Sequence, residues 1–277
     1  MAKCAIMRIG IVGGGEIARL FLERLASGEL GDASVVAVAG RSDKSKGNAL
    51  AAKHRVPFVV GLDALLDTKP DVVIEAASHQ AVREYGEPVL SRGISFIVLS
   101  GGALCDDALR GKLEKAAEKS GAMLYVPSGG IGGMDALKAA CVAGVDHVEI
   151  AVTKPPAAWK EIPYVEKLGV DLDHLKVATV LFEGKARDGV PLFPQNVNIA
   201  ALLSMAGIGF DRTQLKVVAD PALKFNTHYI TIRGRSGTIS LKFESVPFPD
   251  NPKTAMLAAY SALAAFKQFN SRVRYGT

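Results

Sequence analysis

No apolar run in these 277 residues approaches the roughly 18–20 needed to cross a bilayer, so no membrane span is expected. The opening MAKCAI lacks the long apolar stretch and cleavage pattern of a secretory signal and leads straight into a strand. Cysteine is scarce: Cys4, Cys105 and Cys141 are odd in number and widely spaced, with no C-x-x-C pair. That argues against a disulfide framework or a zinc site and fits reduced thiols in a cytoplasmic protein, with no metal expected. No basic run is interleaved with aromatics either. The net charge of +5 is scattered along the chain, so nucleic acid is not an expected partner. A weakly positive field suits small anionic ligands equally well. Repeats, low-complexity tracts and Pro-rich linkers are also missing.

What is present is apolar. Hydrophobic residues make up 49% of the chain, enough for a sizeable core, and the length suggests one large domain or two modest ones. Over residues 1–127 strands and helices alternate. RIGIV (8–12), SVVAVAG (34–40), PFVV (57–60), DVVIEAA (71–77), ISFIVLS (94–100) and AMLYVP (122–127) read as strands. Helical patterns lie between them at 16–27, 45–54, 62–67, 81–92 and 106–120. Continuous apolar strands between amphipathic helices predict a parallel sheet covered on both faces. Right-handed crossovers then give a doubly wound fold.

After Pro127 the order changes. SGGIGGMDALKAA (128–140) is a glycine-rich loop running into a helix. Alternating segments follow at 147–154, 176–184, 214–220, 228–234 and 238–245, with helices expected at 197–207 and 252–269. Strand after strand predicts a second, α+β domain on a mixed sheet over 128–250. The segment 251–277 is expected to pack back on the first domain.

The junction VGGGEIA holds Gly13-x-Gly15-x-x-Ala18, a G-x-G-x-x-A with a strand before it and a helix after it. In the Rossmann arrangement the first glycine permits the tight turn, and the second lets the backbone approach a pyrophosphate. The small third residue lets the helix pack on the sheet. The first helical residues, Glu16 and Ile17, then offer free N–H groups to phosphate oxygens. Ala77 and Ser78, at the carboxyl end of DVVIEAAS, fall where the rest of the cofactor is expected. The second strand ends Ala39-Gly40-Arg41-Ser42, without the carboxylate that usually accepts the ribose hydroxyls of NAD. Gly40 leaves room, and Arg41 and Ser42 suit a 2′-phosphate, so NADP or NAD is expected. Asp43 within reach of the ribose, and Arg41 as a plain solvated residue, stay open.

A proton-moving group is needed beside a nicotinamide. Among the five histidines, His54 and His174 sit in polar surroundings and read as exposed, and His147 reads as structural. His79 follows a strand's carboxyl end, and His228 begins a strand after the turn-rich DPALKFNT. Lys154 in VTKPP suits a substrate carboxylate, with an exposed surface lysine as the alternative. Ser128 to Gly133 offers an N–H-rich edge for a carboxylate or the nicotinamide amide, with a plain hinge as the alternative.

The segments IGIVGGGEIA, DVVIEAAS, VPSGGIGGMDAL, FPQNVNIAALLSMAGIGFD, ADPALKFNTHYI and NPKTAMLAAYSAL resemble, in order and spacing, the L-aspartate dehydrogenase family. The resemblance runs from the first strand to the last helix. It implies a Rossmann domain plus an α+β substrate domain. It also implies oxidation of aspartate with NAD or NADP to iminosuccinate, which water converts to oxaloacetate and ammonia, with a link to NAD biosynthesis. The family's catalytic histidine falls on His228. Its cofactor-contacting asparagine falls on Asn198, with Asn196 close by; a helix N-cap is the other reading of Asn198. The family's cofactor-contacting alanine falls on Gly130, a departure that a backbone contact would survive. Ser128 and Gly129 join Lys154 as expected substrate contacts. A near-neutral imidazole at position 228 is expected to accept a proton at working pH. A homodimer is the default closed assembly. Two other readings stand beside this one: a related dehydrogenase of another amino or hydroxy acid, and a non-catalytic dinucleotide-binding sensor.

Overall fold

A strand such as Ile9–Val12, apolar on both faces, is stable only where both faces are covered. The computed structural model describes residues 6–194, 196–248, 251–269, 271 and 273. Cys4 and residues 249–250, 270, 272 and 274–277 of the expected domains lie outside the described residues. The chain divides into two compact units, one holding the residues up to Pro127 together with Ser261–Arg274, the other Ser128–Tyr260 with the last three residues.

The first unit runs β1 (Met7–Val12), α1 (Glu16–Ala26), β2 (Ala33–Gly40), α2 (Lys46–His54), β3 (Phe58–Val60), α3 (Gly61–Asp67), β4 (Val72–Glu75), α4 (His79–Ser91), β5 (Ser95–Val98), α5 (Asp107–Ser120) and β6 (Leu124–Tyr125). Its six strands lie in the order β3-β2-β1-β4-β5-β6, all parallel. This is the doubly wound dinucleotide-binding order, with its switch point between β1 and β4. Ile9, Ile11, Ile74, Phe96 and Ile97 are fully buried at its centre.

The second unit contains α6 (Met134–Ala143), β7 (Val145–Lys154), α7 (Pro163–Lys167), β8 (Thr179–Lys185), α8 (Ala186–Gly189), α9 (Asn198–Ala206), β9 (Thr213–Ala219), β10 (Asn226–Gly234), β11 (Gly237–Ser245), β12 (Pro247–Phe248) and β13 (Asn251–Ala255). Five strands form a mixed sheet in the order β11-β10-β7-β9-β8, with only β7 and β9 parallel among the described residues. One face is apolar: Val148, Ile150, Val152, Ile230 and Ile232 are buried on it.

The last helix, α10, covers Met256–Phe269 and not 252–269. Residues 251–255 instead pair with Pro247 and Phe248 as a two-stranded ribbon, an edge setting in which a proline is tolerated. The later part of α10 belongs to the first unit, where Phe266 meets Phe21 edge-on at 5.1 Å.

Candidate active site

The glycine corner of the first unit is built by close backbone approach. Gly13 has φ of +109°, and a Cβ there would lie 2.5 Å from the carbonyl oxygen of Ala76. Only glycine tolerates both conditions. The middle glycine, outside the motif, has its own cause: a Cβ on Gly14 would lie 2.2 Å from the backbone nitrogen of Gly47, in the first turn of α2. Gly15 differs from both, because a Cβ there would meet nothing within 4 Å. It is the N-cap of α1, and no side chain caps that helix. An uncapped helix start facing open space is a ready anion site. Glu16 is tied down by Arg19 at 2.7 Å, so what it offers a pyrophosphate is its N–H. These residues fit a dinucleotide.

A buried carboxylate organises the neighbouring loops, and sequence reasoning missed it. Glu75 ends β4 with no exposed surface. Its Oε1 accepts hydrogen bonds from the N–H groups of Ala77 and Ser78, each at 2.8 Å, and from Ser100 Oγ at 2.9 Å. Its Oε2 accepts from the N–H of Ser100 at 2.9 Å. Burial pushes its pKa up, and these four donors pull it back. The signal was available: a lone carboxylate closing an apolar strand. Ser78 then caps α4, accepting from the N–H of Ala81.

At the tip of β2, Arg41, Ser42 and Asp43 are exposed. The room beside Gly40 is filled, however. A Cβ there would lie 2.7 Å from Ser45 Cβ and 2.9 Å from Phe58 Cζ, so the glycine serves the packing of its own loop. Ser45 Oγ accepts the N–H of Ser42 at 3.2 Å and fixes that turn.

In the second unit, His228 lies on the apolar face of the mixed sheet, opposite Val152 on one side and Phe243 on the other. It is 3% exposed, and its Nδ1 is buried without a hydrogen-bond partner. Burial first, and then the nearby Lys154, push its pKa down to about 3. The expected near-neutral imidazole is therefore corrected: without an anion beside it, His228 stays neutral. Lys154, the last residue of β7, is buried and not a surface lysine. Its ammonium donates to Asn196 O at 3.1 Å and Asn196 Oδ1 at 3.2 Å, and lies 5.2 Å from the ring centre of Trp159. Burial alone lowers its pKa to about 7.

The glycine-rich loop covers the same face. A Cβ on Gly132 would lie 3.4 Å from the Phe243 ring, and one on Gly129 would lie 3.4 Å from Ile199. At Gly130 a Cβ would meet nothing nearer than Ala255 at 3.8 Å, so an alanine fits where the resemblance places one. Ser128, Gly129 and Gly130 thus lead onto the face that holds His228 and Lys154. Asn198 is the first residue of α9, whose N-cap is Val197, so the capping reading is not met. It is Asn196, the neighbour, that touches Lys154.

The remaining histidines separate. His174 is exposed beside Asp171, and His147 pairs with Glu149. His79 opens α4. His54 is half-buried with an unpartnered Nε2, and not exposed as expected. Among the described residues no group of three or more His, Cys, Asp or Glu is arranged to hold a metal ion, and no helix is long and apolar enough to cross a membrane.

Residues 135–269 match the family described as aspartate dehydrogenase, C-terminal, and residues 13–127 match the homoserine dehydrogenase NAD-binding domain. An L-aspartate dehydrogenase of Methanosarcina mazei is 40% identical over 98% of this chain and 100% of its own length. The chain belongs to the L-aspartate dehydrogenase family. A second relative, L-aspartate dehydrogenase 2 of Bordetella pertussis, is 42% identical over 97% of this chain and 99% of its own. The crystal structure of an aspartate dehydrogenase from Thermotoga maritima superposes with a TM-score of 0.74 at 29% identity, covering 98% of this chain and 99% of that one. Membership in this family makes the chain an oxidoreductase with an NAD-binding domain.

Proposed function

We propose that the protein oxidises L-aspartate with NADP or NAD to iminosuccinate, which water converts to oxaloacetate and ammonia, and that it runs the reverse amination. The observation that carries this reading is the buried imidazole of His228, whose Nδ1 has no hydrogen-bond partner, beside a buried ammonium, in the half of the chain that matches aspartate dehydrogenases. The dinucleotide supplies the two-electron acceptor when bound; Gly13, Gly15, Glu16, Ile17, Ala77, Ser78, Gly130 and Asn198 are the residues proposed to hold it. Arg41 and Ser42 are proposed to favour NADP, since a guanidinium suits a 2′-phosphate.

The protein's own task is to hold the substrate and move a proton. Lys154, Ser128 and Gly129 are proposed to bind carboxylate. The ammonium of aspartate must lose a proton before a C=N bond forms, and His228 Nδ1 is free to take it. A substrate carboxylate near Lys154 offsets its charge, which raises the basicity of His228 once substrate is present. The cytoplasm is the proposed location.

One absorbance assay at 340 nm tests the reading, following NADPH and NADH with oxaloacetate and ammonia. Oxidation that needs both substrates is expected. No change with either coenzyme overturns the assignment. Repeated on Arg41→Ala, the same assay should show kcat/KM for NADPH down about tenfold and that for NADH little changed, as loss of one charge-assisted contact implies. A strong NADH preference untouched by the substitution removes the NADP proposal.

A further inference from the structure

The apolar face of the second sheet turns polar at one end, along a single line across three strands. Asn226 stands opposite Ser245 in the β10–β11 ladder. Thr227 stands opposite Thr153 in the β10–β7 ladder, and one step further along that register places Lys154 across from Asn226. Directly opposed residues project to the same face. Lys154, Asn226 and Ser245 therefore form a row. They are 4%, 2% and 4% exposed, while Val152 and Ile230 on the same face are fully buried and apolar.

One member of this row has no hydrogen-bond partner, and another is a cation without an anion. Ser245 Oγ is buried with no hydrogen-bond partner. The Lys154 ammonium donates to two neutral oxygens, both of Asn196. Among the described residues no carboxylate forms an ion pair with Lys154, whose ammonium donates only to Asn196. A buried ammonium without an anion, and a buried hydroxyl without a partner, are both costly. Such a set is stable in a working protein when a ligand completes it.

We infer that Lys154, Asn226 and Ser245 form an anion subsite that takes one carboxylate of a small dicarboxylate. Each residue has an N–H or O–H to donate, and a carboxylate has two oxygens with about four lone-pair positions to receive them. One cation with two neutral donors matches a single negative charge. The row lies two residues along β10 from His228, about 6.5–7 Å at strand spacing. A molecule whose reacting carbon and carboxylate are two bonds apart bridges that gap with one hydrogen bond at each end. The choice of carboxylate rests on the aspartate reading above; Asn226 and Ser245 are additions to it.

The test is calorimetric titration of the full-length protein with succinate, butyrate and inorganic phosphate, on wild type, Ser245→Ala and Asn226→Asp. Succinate is expected to bind at least tenfold more tightly than butyrate or phosphate. Ser245→Ala, which removes an orphaned hydroxyl and so keeps its melting temperature, should weaken succinate about fivefold. Asn226→Asp places a carboxylate beside Lys154 and should abolish succinate binding while raising the melting temperature, which separates a filled subsite from a misfolded chain. Succinate binding absent from wild type, equal to that of butyrate or phosphate, or unchanged in both variants overturns the subsite. If succinate behaves as expected but aspartate is not turned over, the subsite stands and the proposed reaction falls. If aspartate is turned over with the same KM in both variants, the subsite falls alone.

Discussion

Lys154 and His228 are both held away from their ordinary charge states, and the sign of each shift can be measured. The unfolded chain keeps a proton on Lys154 up to about pH 10.5, the folded protein only up to about 7. Between those values the unfolded chain binds more protons, so this group makes stability rise with pH through that window. Below pH 7 both states are protonated and the full cost of burying the ammonium remains. Lys154→Met should therefore melt a few degrees above wild type at pH 6, with the gap closing towards pH 10, and should lose aspartate turnover. Calorimetry at three pH values decides; a variant that melts lower at pH 6 would mean that the ammonium is well paired. His228→Ala should cut turnover by about 10²–10⁴-fold, the usual worth of a positioned acid–base group, with coenzyme affinity unchanged. Turnover within a few-fold of wild type would remove His228 from the proposed chemistry. At this scale residue type alone left several histidines open, and the family resemblance singled out His228. It was opaque where burial decides. Lys154 closes an alternating strand and precedes two prolines, which reads as a solvated end. Asn226 falls in the turn-rich stretch before the expected strand and Ser245 at the end of another, and only non-local register sets them in one row.

Elements convert single residues into geometry, and Glu75 is the plainest case. One side chain joins the β4–α4 connection to the segment after β5 through four hydrogen bonds. Glu75→Gln keeps the shape but turns one acceptor into a donor, facing either the Ser100 N–H or the three donors on Oε1. A buried hydrogen bond to a charge is worth about 1.5–3 kcal/mol. The variant should lose roughly that much stability and bind NADP(H) about tenfold more weakly by fluorescence titration. Unchanged affinity in a destabilised protein would confine Glu75 to a folding role. Element type was readable along the first 127 residues because continuous apolar runs and amphipathic helices obey different periods. The boundary at 251–256 was not. A proline followed by an apolar helical pattern reads as a helix start, whereas pairing with Pro247 and Phe248 claims those residues for a strand.

For the whole molecule, the doubly wound parallel sheet was legible from the βα alternation and the right-handed crossover rule. Assembly was not. The outer face of the second sheet displays Tyr229 and Val180 to solvent, and a homodimer through that face is proposed; light scattering giving a monomer mass of 29.2 kDa would exclude it. A last consequence concerns redesign. Because Gly14 sits backbone-to-backbone on Gly47, the glycine turn proposed to hold the pyrophosphate packs directly on the helix that follows residues 41–45. Anyone rewriting those residues to swap coenzymes is also adjusting the support of that turn, and grafts that shift Gly47 by even half an ångström should lose both coenzymes together.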